Sequence, residues 1–232
     1  MKRVYKTVAV TATEDGFGIT LDGRPVRTPG RTALVLPKRA LADAVAAEWD
    51  AQDGKVDPTS MPMMQCAATA IDRVAPNHEE IARQTARYGE TDLLCHRADY
   101  PEALQARQAA SWDPLLDWLQ KGRGVRLQPV AGLLAAPQDK EGLARIEAEL
   151  VALDAFRLAG IANATGALGS IVLALALGDG RLDAGEAFRL SRIDEDWQAE
   201  HWGLDAEEAA RATRLEAEIA DVARYLTLLT QD

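Results

Sequence analysis

The sequence predicts an α+β fold: a small antiparallel β-rich N-terminal domain followed by an all-helical, orthogonal bundle-like C-terminal domain. Two observations carry this expectation. Apolar side chains alternate with a period of two through the first 36 residues and then recur every three or four. Gly54, Pro58 and Pro62 gather where the period changes, which sets the expected domains at 1–60 and 61–232.

Val4, Lys6, Val8, Val10 and Ala12 line one face of an expected first strand, with Tyr5, Thr7, Ala9 and Thr11 opposite. Asp15-Gly16 supplies a turn into a short strand over Phe17 to Leu21. Asp22-Gly23 is a strong hairpin signal, because a type I′ turn needs positive φ at both central residues. Pro25 cannot donate to a ladder, so its strand belongs at an edge. Pro29-Gly30 turns the chain again before Thr32 to Leu36.

A helix is expected from Pro37, with Leu41, Val45 and Trp49 as its buried stripe. Asp113-Pro114 reads as an N-cap with proline in the first helical turn, ahead of Leu115, Leu116 and Leu119. Leu143, Ile146, Leu150 and Leu153 keep helical spacing, as do Leu190, Ile193 and Trp197. Leu215, Ile219, Val222, Leu226 and Leu229 continue it towards the C-terminus. The 21 residues from Leu158 to Gly178 carry no charge and are long enough to span a bilayer. Asn163, Thr165, Ser170 and four glycines interrupt them without flanking aromatic or basic anchors, so a buried bundle helix is expected and membrane insertion is not.

The 232-residue chain is 47% hydrophobic and 27% charged, ordinary globular values, with a net charge of −10. That charge argues against nucleic acid as a partner and suits docking to a surface rich in Lys and Arg. Cys66 and Cys95 are too few and too far apart for a disulfide framework or a CxxC motif, which fits a reducing cytoplasm. The basic start at Lys2-Arg3 lacks a following apolar run, so no signal peptide is expected.

The search for reactive machinery returns little. His78, His96 and His201 form no HExxH pair, and adjacent Cys95-His96 cannot make a metal site alone. No phosphate-binding glycine loop and no GxSxG elbow occur. Residues 179–184 have the outline of a calcium loop, but Arg181 stands at a ligand position and Ala184 where glycine is required. No cofactor, metal or catalytic residue is therefore expected.

An acidic run stands out instead. Asp183 to Ala210 holds nine Asp or Glu against Arg189 and Arg192. If Leu190, Ile193 and Trp197 face inward on one helix, Asp194 points about 100° and Glu195 about 200° away, so both carboxylates reach solvent. A solvated helix face and a docking edge for a basic partner both fit this pattern. The five tryptophans, Trp49, Trp112, Trp118, Trp197 and Trp202, read as packing residues, with an interface anchor as the other reading.

Four ordered segments resemble the assembly-chaperone family for the alpha subunit of the F-type ATP synthase, known from mitochondria and alphaproteobacteria. They are Leu21-Asp22-Gly23-Arg24-Pro25 with Thr28-Pro29, and Glu48-Trp49-Asp50-Ala51-Gln52 leading to Met61-Pro62. The third is Thr69-Ala70-Ile71-Asp72 with Tyr88 and Thr91-Asp92-Leu93-Leu94-Cys95. The fourth is Ser191-Arg192-Ile193-Asp194-Glu195 with Gln198 and Trp202-Gly203; Trp112-Asp113-Pro114-Leu115 adds to the set. The resemblance spans nearly the whole chain. It implies a β-rich domain before a helical one, and binding of the unassembled alpha subunit before it joins the beta subunit, without ATP use. It also implies that Asp194 is the client-binding acid, with Glu195 its neighbour. Aspartate there keeps the charge of the expected glutamate but is one methylene shorter. The family's His-Asp after Trp-Gly is replaced by Ala209-Ala210, so no role for that pair carries over. A start directly on the β-meander fits a bacterial cytoplasmic form better than an imported one.

Two other functional classes compete with this expectation. One is a small enzyme centred on Cys95 and His96; the other is a scaffold for a different partner. A low-pKa cysteine would favour the first.

Overall fold

The computed structural model describes residues 2–132 and 136–231. An antiparallel sheet near the N-terminus gives way to a mostly helical chain, an α+β protein as its sequence predicts. Contacts divide the chain into two compact units: Met1–His78 with Leu153–Gly160 and Arg224–Asp232, and Glu79–Ala152 with Ile161–Ala223.

In the first unit, β1 (Val8–Thr13) and β2 (Gly16–Leu21) pair from Val8 opposite Leu21 to Thr13 opposite Gly16. The connecting loop is Glu14-Asp15, one residue earlier than the Asp15-Gly16 turn expected. The strand also begins at Val8 rather than Val4, which is 79% exposed. Asp22-Gly23 then forms the expected tight turn, with φ of 49° and 77°, into β3 (Arg24–Pro25). The Asp22 carboxylate accepts from the N–H groups of Lys6 and Thr7, at 3.1 and 2.8 Å, and so ties the incoming chain to the hairpin. β4 (Val35–Leu36) pairs with β2 beside β3, leaving Pro25 at an edge as its missing N–H requires.

α1 (Arg39–Asp50) buries Leu41, Val45 and Trp49, the stripe read from the sequence. Its Glu48 carboxylate accepts from Met63 N and Met64 N at 2.7 and 2.8 Å. These are orphan amides in the first turn of α2 (Pro62–Thr69), so one helix caps the next. After α2 the chain brings Asp72 under the Thr28–Gly30 turn, where it accepts from Thr28 Oγ1 and Gly30 N, both at 2.7 Å. Burial pushes the Asp72 carboxyl up, but those bonds outweigh it and hold it below its usual range. Ile19, Leu36, Leu41, Val45, Met63 and Tyr225 form the centre of this unit's core. Tyr225 and Leu226 come from near the chain's end and lie against Gly160, where an added Cβ would meet Leu226 Cδ2 at 2.5 Å.

α3 (His78–Ala86) leads into the second unit, which is built on α4 (Glu102–Arg123), a helix of 22 residues. Asp113-Pro114, read from the sequence as a helix start, lies inside it. The cluster of buried Leu104, Gln108, Trp112, Leu115, Leu116 and Leu119 on one side outweighs the hydrogen bond that proline removes. α5 (Lys140–Val151) follows, capped by the Asp139 side chain.

The uncharged stretch expected as one buried helix is two. α6 (Ala155–Leu168) stops before Gly169 at φ 64°, and Ser170 caps α7 (Ile171–Gly178) by accepting from Leu173 N. Ile171 to Leu177 are all buried, and no helix among the described residues is long and apolar enough to cross a membrane.

Candidate partner-binding site

The acidic run between Asp183 and Ala210 divides among α8 (Ala184–Ser191), α9 (Ile193–Trp202) and the start of α10 (Ala206–Leu228). Leu190, Ile193 and Trp197 therefore do not share one helix. The backbone breaks at Arg192, with φ −122° and ψ 19°, and only Ile193 of the three is fully buried. The break is held by Arg192 itself, whose buried guanidinium donates to Glu208 at 2.9 Å and lies 3.7 Å from Asp196. A buried cation with two carboxylates around it is satisfied, and it orients the first turn of α9.

That turn presents Asp194, Glu195 and Asp196 to the positive end of the helix dipole. Glu195 is exposed, as the sequence predicts. Asp194 is half-buried rather than solvated: its Oδ1 accepts from Gln108 Nε2 at 2.6 Å. Gln108 is fully buried in α4, and its Oε1 accepts from Ala98 N at 2.9 Å, so the amide is fixed from both ends. Among the described residues the second Asp194 oxygen has no hydrogen-bond partner. Asp194 is thus a held carboxylate with one oxygen committed, beside the exposed carboxylate of Glu195. Arg107 anchors the same helix farther along with two bonds of 2.8 Å to Glu200. Next to this pair, Arg107, Ser111, Glu186, Arg189 and Asp196 line a shallow cleft of 340 Å³.

At its other end α9 leaves Trp202 78% exposed, followed by exposed Leu204. Trp197 instead stacks on His201, with ring centroids 4.4 Å apart. Sequence reading set Trp202 among the packing residues. Its position directly before Gly203, which ends the helix at φ 85°, is the one local sign that it stands at a helix tip. Gln108 and Arg107 carried no signal, since their role comes from side chains 86 and 93 positions away.

The matching chain of carboxylates elsewhere is consumed by the fold. Asp22, Glu48 and Asp72 each satisfy backbone amides, and so does Asp92. Asp92 is fully buried and accepts from Leu94 N at 3.0 Å, Ser170 Oγ at 2.8 Å and Val172 N at 3.2 Å. Burial pushes its carboxyl up to about 6 against the pull of those bonds.

The Cys95-His96 pair does not make a reactive centre. Cys95 is 3% exposed, and burial, reinforced by the Asp92 charge, pushes its thiol up to about 12. Such a thiol carries almost no thiolate at neutral pH. Full-length protein treated with a maleimide at pH 7.5 is expected to label Cys95 only on the timescale of unfolding; labelling within seconds would contradict that burial. Among the described residues no group of three or more His, Cys, Asp or Glu side chains could hold a metal ion.

The family model of the ATP12 chaperone protein matches residues 2–120, just over half of the chain. The chain belongs to the ATP12 chaperone family. Its structure is similar to that of Atp12 from Paracoccus denitrificans, with a TM-score of 0.94 and 42% identity over 98% of this chain and 97% of that one. It is also similar to a chaperone candidate from Agrobacterium tumefaciens, with a TM-score of 0.92 and 41% identity over 99% and 86% of the two chains. The family match ends before α9. Asp194, Glu195 and Trp202 thus lie outside the residues that the family model matches, whereas Gln108 and Arg107, which hold α9, lie inside them.

Proposed function

We propose that this ATP12-family chaperone acts in the cytoplasm by binding the unassembled alpha subunit of the F-type ATP synthase and promoting its assembly with the beta subunit. Binding alone does the work, with no catalytic step. Asp194 and Glu195 receive a basic patch of the client, and Trp202 enters an apolar recess beside it.

One observation carries this reading. In the three other family-like segments Asp22, Glu48, Asp72 and Asp92 are occupied by the protein's own amides, and Asp50 pairs with Arg3. In the fourth segment Glu195 and Trp202 remain at the surface, Glu195 in the first turn of α9 and Trp202 at its tip with only a tilted ring contact to His201 at 6.0 Å. A large exposed aromatic beside charges is the composition of an interface anchor. An acidic face speeds encounter with a basic partner and sets its register, while leaving an interface that the beta subunit can displace. Binding the free subunit lowers the concentration of its aggregation-prone form by mass action.

Purified alpha subunit should be captured by this protein, and less well as salt rises. Asp194→Lys and Glu195→Lys should each weaken capture by about tenfold, and Trp202→Ala by roughly thirtyfold, the effect of a hot-spot side chain. Circular dichroism should not change for Glu195→Lys or Trp202→Ala, since both side chains are exposed. Undiminished capture by all three variants would remove this face from the interface.

A further inference from the structure

We propose that the open edge of β1 is a strand-addition site, which takes an extended, uncharged and alternately apolar segment of a client polypeptide. The inference rests on the chaperone reading for the occupant, but it concerns a different surface from α9.

The edge is defined by hydrogen-bond geometry. Asp22 N donates to Thr7 O at 3.0 Å, and the register continues as Ala9 opposite Thr20, Thr11 opposite Gly18 and Thr13 opposite Gly16. In an antiparallel pair, residues that exchange bonds alternate with residues whose backbone groups point away. Thr7, Ala9, Thr11 and Thr13 therefore bond towards β2. Val8, Val10 and Ala12 direct their N–H and C=O groups to the other side. Among the described residues, nothing pairs with that side: β1 has β2 as its strand partner, and no other bond to these three backbones occurs. The strand is six residues long, about 20 Å of edge.

Natural sheets defend such edges with charge, proline, bulges or brevity. The opposite side of this sheet follows that rule. It consists of two strands of two residues each, and β3 is Arg24-Pro25. β1 has none of these defences. Val8-Ala9-Val10-Thr11-Ala12-Thr13 has high β propensity, no charge, no proline and an unbroken register with β2. An undefended edge on a highly charged, otherwise guarded protein is a surface kept open for a partner.

The strand's two faces state what the partner looks like. Val8 and Val10 are half-buried and pack against the core, whereas Ala9, Thr11 and Thr13 are exposed. A strand added beside β1 would continue this arrangement, with apolar side chains on the core side and small or polar ones outside. A second copy of this chain is the poorer occupant. Each copy carries a net charge of −10, and an edge about 20 Å long and about 10 Å tall offers only on the order of 200 Å², far short of the roughly 800 Å² per partner that stable dimers bury. A short contact of this kind suits a segment of a client that is also held elsewhere.

The test uses the full chain and a blocked Thr-Val-Thr-Val-Thr-Val-Thr peptide, with a control peptide N-methylated at alternate residues so that it cannot pair. Amide hydrogen exchange is followed by NMR. Pairing is expected to slow exchange at Val8, Val10 and Ala12 by about tenfold or more. Thr11 and Thr13, already bonded to β2, should be unaffected, and the N-methylated peptide should protect nothing. Ala12→Pro removes an outward donor from an exposed position without touching the β2 ladder, and should weaken peptide binding by about tenfold. Three results would overturn the proposal: no protection at millimolar peptide, equal protection by the N-methylated peptide, or concentration-dependent protection of these amides by the protein alone. If peptide pairing fails while alpha-subunit capture persists, this inference falls and the α9 site stands. If pairing holds while capture fails, only the identity of the client is wrong.

Discussion

Trp112→Ala is expected to lower the unfolding free energy by about 3–5 kcal/mol, the range for deleting a large buried aromatic. Trp112 is wholly buried at the middle of α4, and its indole N–H donates to Leu190 O at 2.9 Å. That carbonyl lies at the end of α8, two residues before the Arg192 break, so the ring ties the central helix to the acidic segment. The Arg97 guanidinium lies 5.1 Å from the ring centroid on the same residue. Alanine would leave a cavity, strand the Leu190 carbonyl and remove the aromatic partner of Arg97. Trp112→Phe separates these effects. It keeps most of the volume and loses the hydrogen bond, which is worth about 1 kcal/mol. Urea denaturation followed by circular dichroism measures both. A loss below about 1 kcal/mol for Trp112→Ala would mean that the packing of α4 does not depend on this side chain.

Asp92 should make stability fall as pH rises from 4 to 6. Its carboxyl ordinarily titrates near 3.8, and burial raises it to about 6 in the folded protein. Between those values the native state holds a proton that the unfolded chain has released, so raising the pH favours unfolding. The stabilisation is present below the unfolded value and is gone once the folded group ionises. Its size, at about 1.4 kcal/mol per unit, is on the order of 2–3 kcal/mol.

Asp22 and Asp72 have lowered pKa values and so act with the opposite sign, in a lower window. The difference between wild type and Asp92→Asn isolates the buried group. Asparagine cannot titrate, and its amide would face Val172 N–H with a donor where the carboxylate offered an acceptor. Stability measured by urea titration at pH 4, 5, 6 and 7 should give a difference that shifts steadily across the window. A difference independent of pH would show that Asp92 does not titrate there.

The elements legible in the sequence share one property: the interactions that form them are local. The Asp22-Gly23 turn needs positive φ at two adjacent residues, and those two residues state it. The Leu41, Val45 and Trp49 stripe shows on α1 because four-residue spacing is itself the signal. Where the sequence misled, a distant side chain had changed the outcome. Asp113-Pro114 has the chemistry of a helix start, yet apolar residues on both sides of it bury together and carry the helix through. Leu158 to Gly178 shows only that the segment is uncharged. The break depends on Gly169 adopting a left-handed conformation and on Ser170 and Asp92 meeting the amides of α7 from outside.

The candidate site divides in the same way. That residues 183–210 are acidic, and that a tryptophan stands next to a glycine within the run, belongs to the sequence alone. So does the absence of charge from β1. Which carboxylates remain available was decided by tertiary structure. Gln108 takes one oxygen of Asp194, Arg192 gathers Glu208 and Asp196, and Glu195 is left exposed. Periodicity records which face of a helix is apolar, but a hydrogen bond between residues far apart in the chain leaves no trace in either neighbourhood. Only folding brings such donors within 3 Å of their acceptors, and that distance determines which charges serve the fold and which remain for a partner.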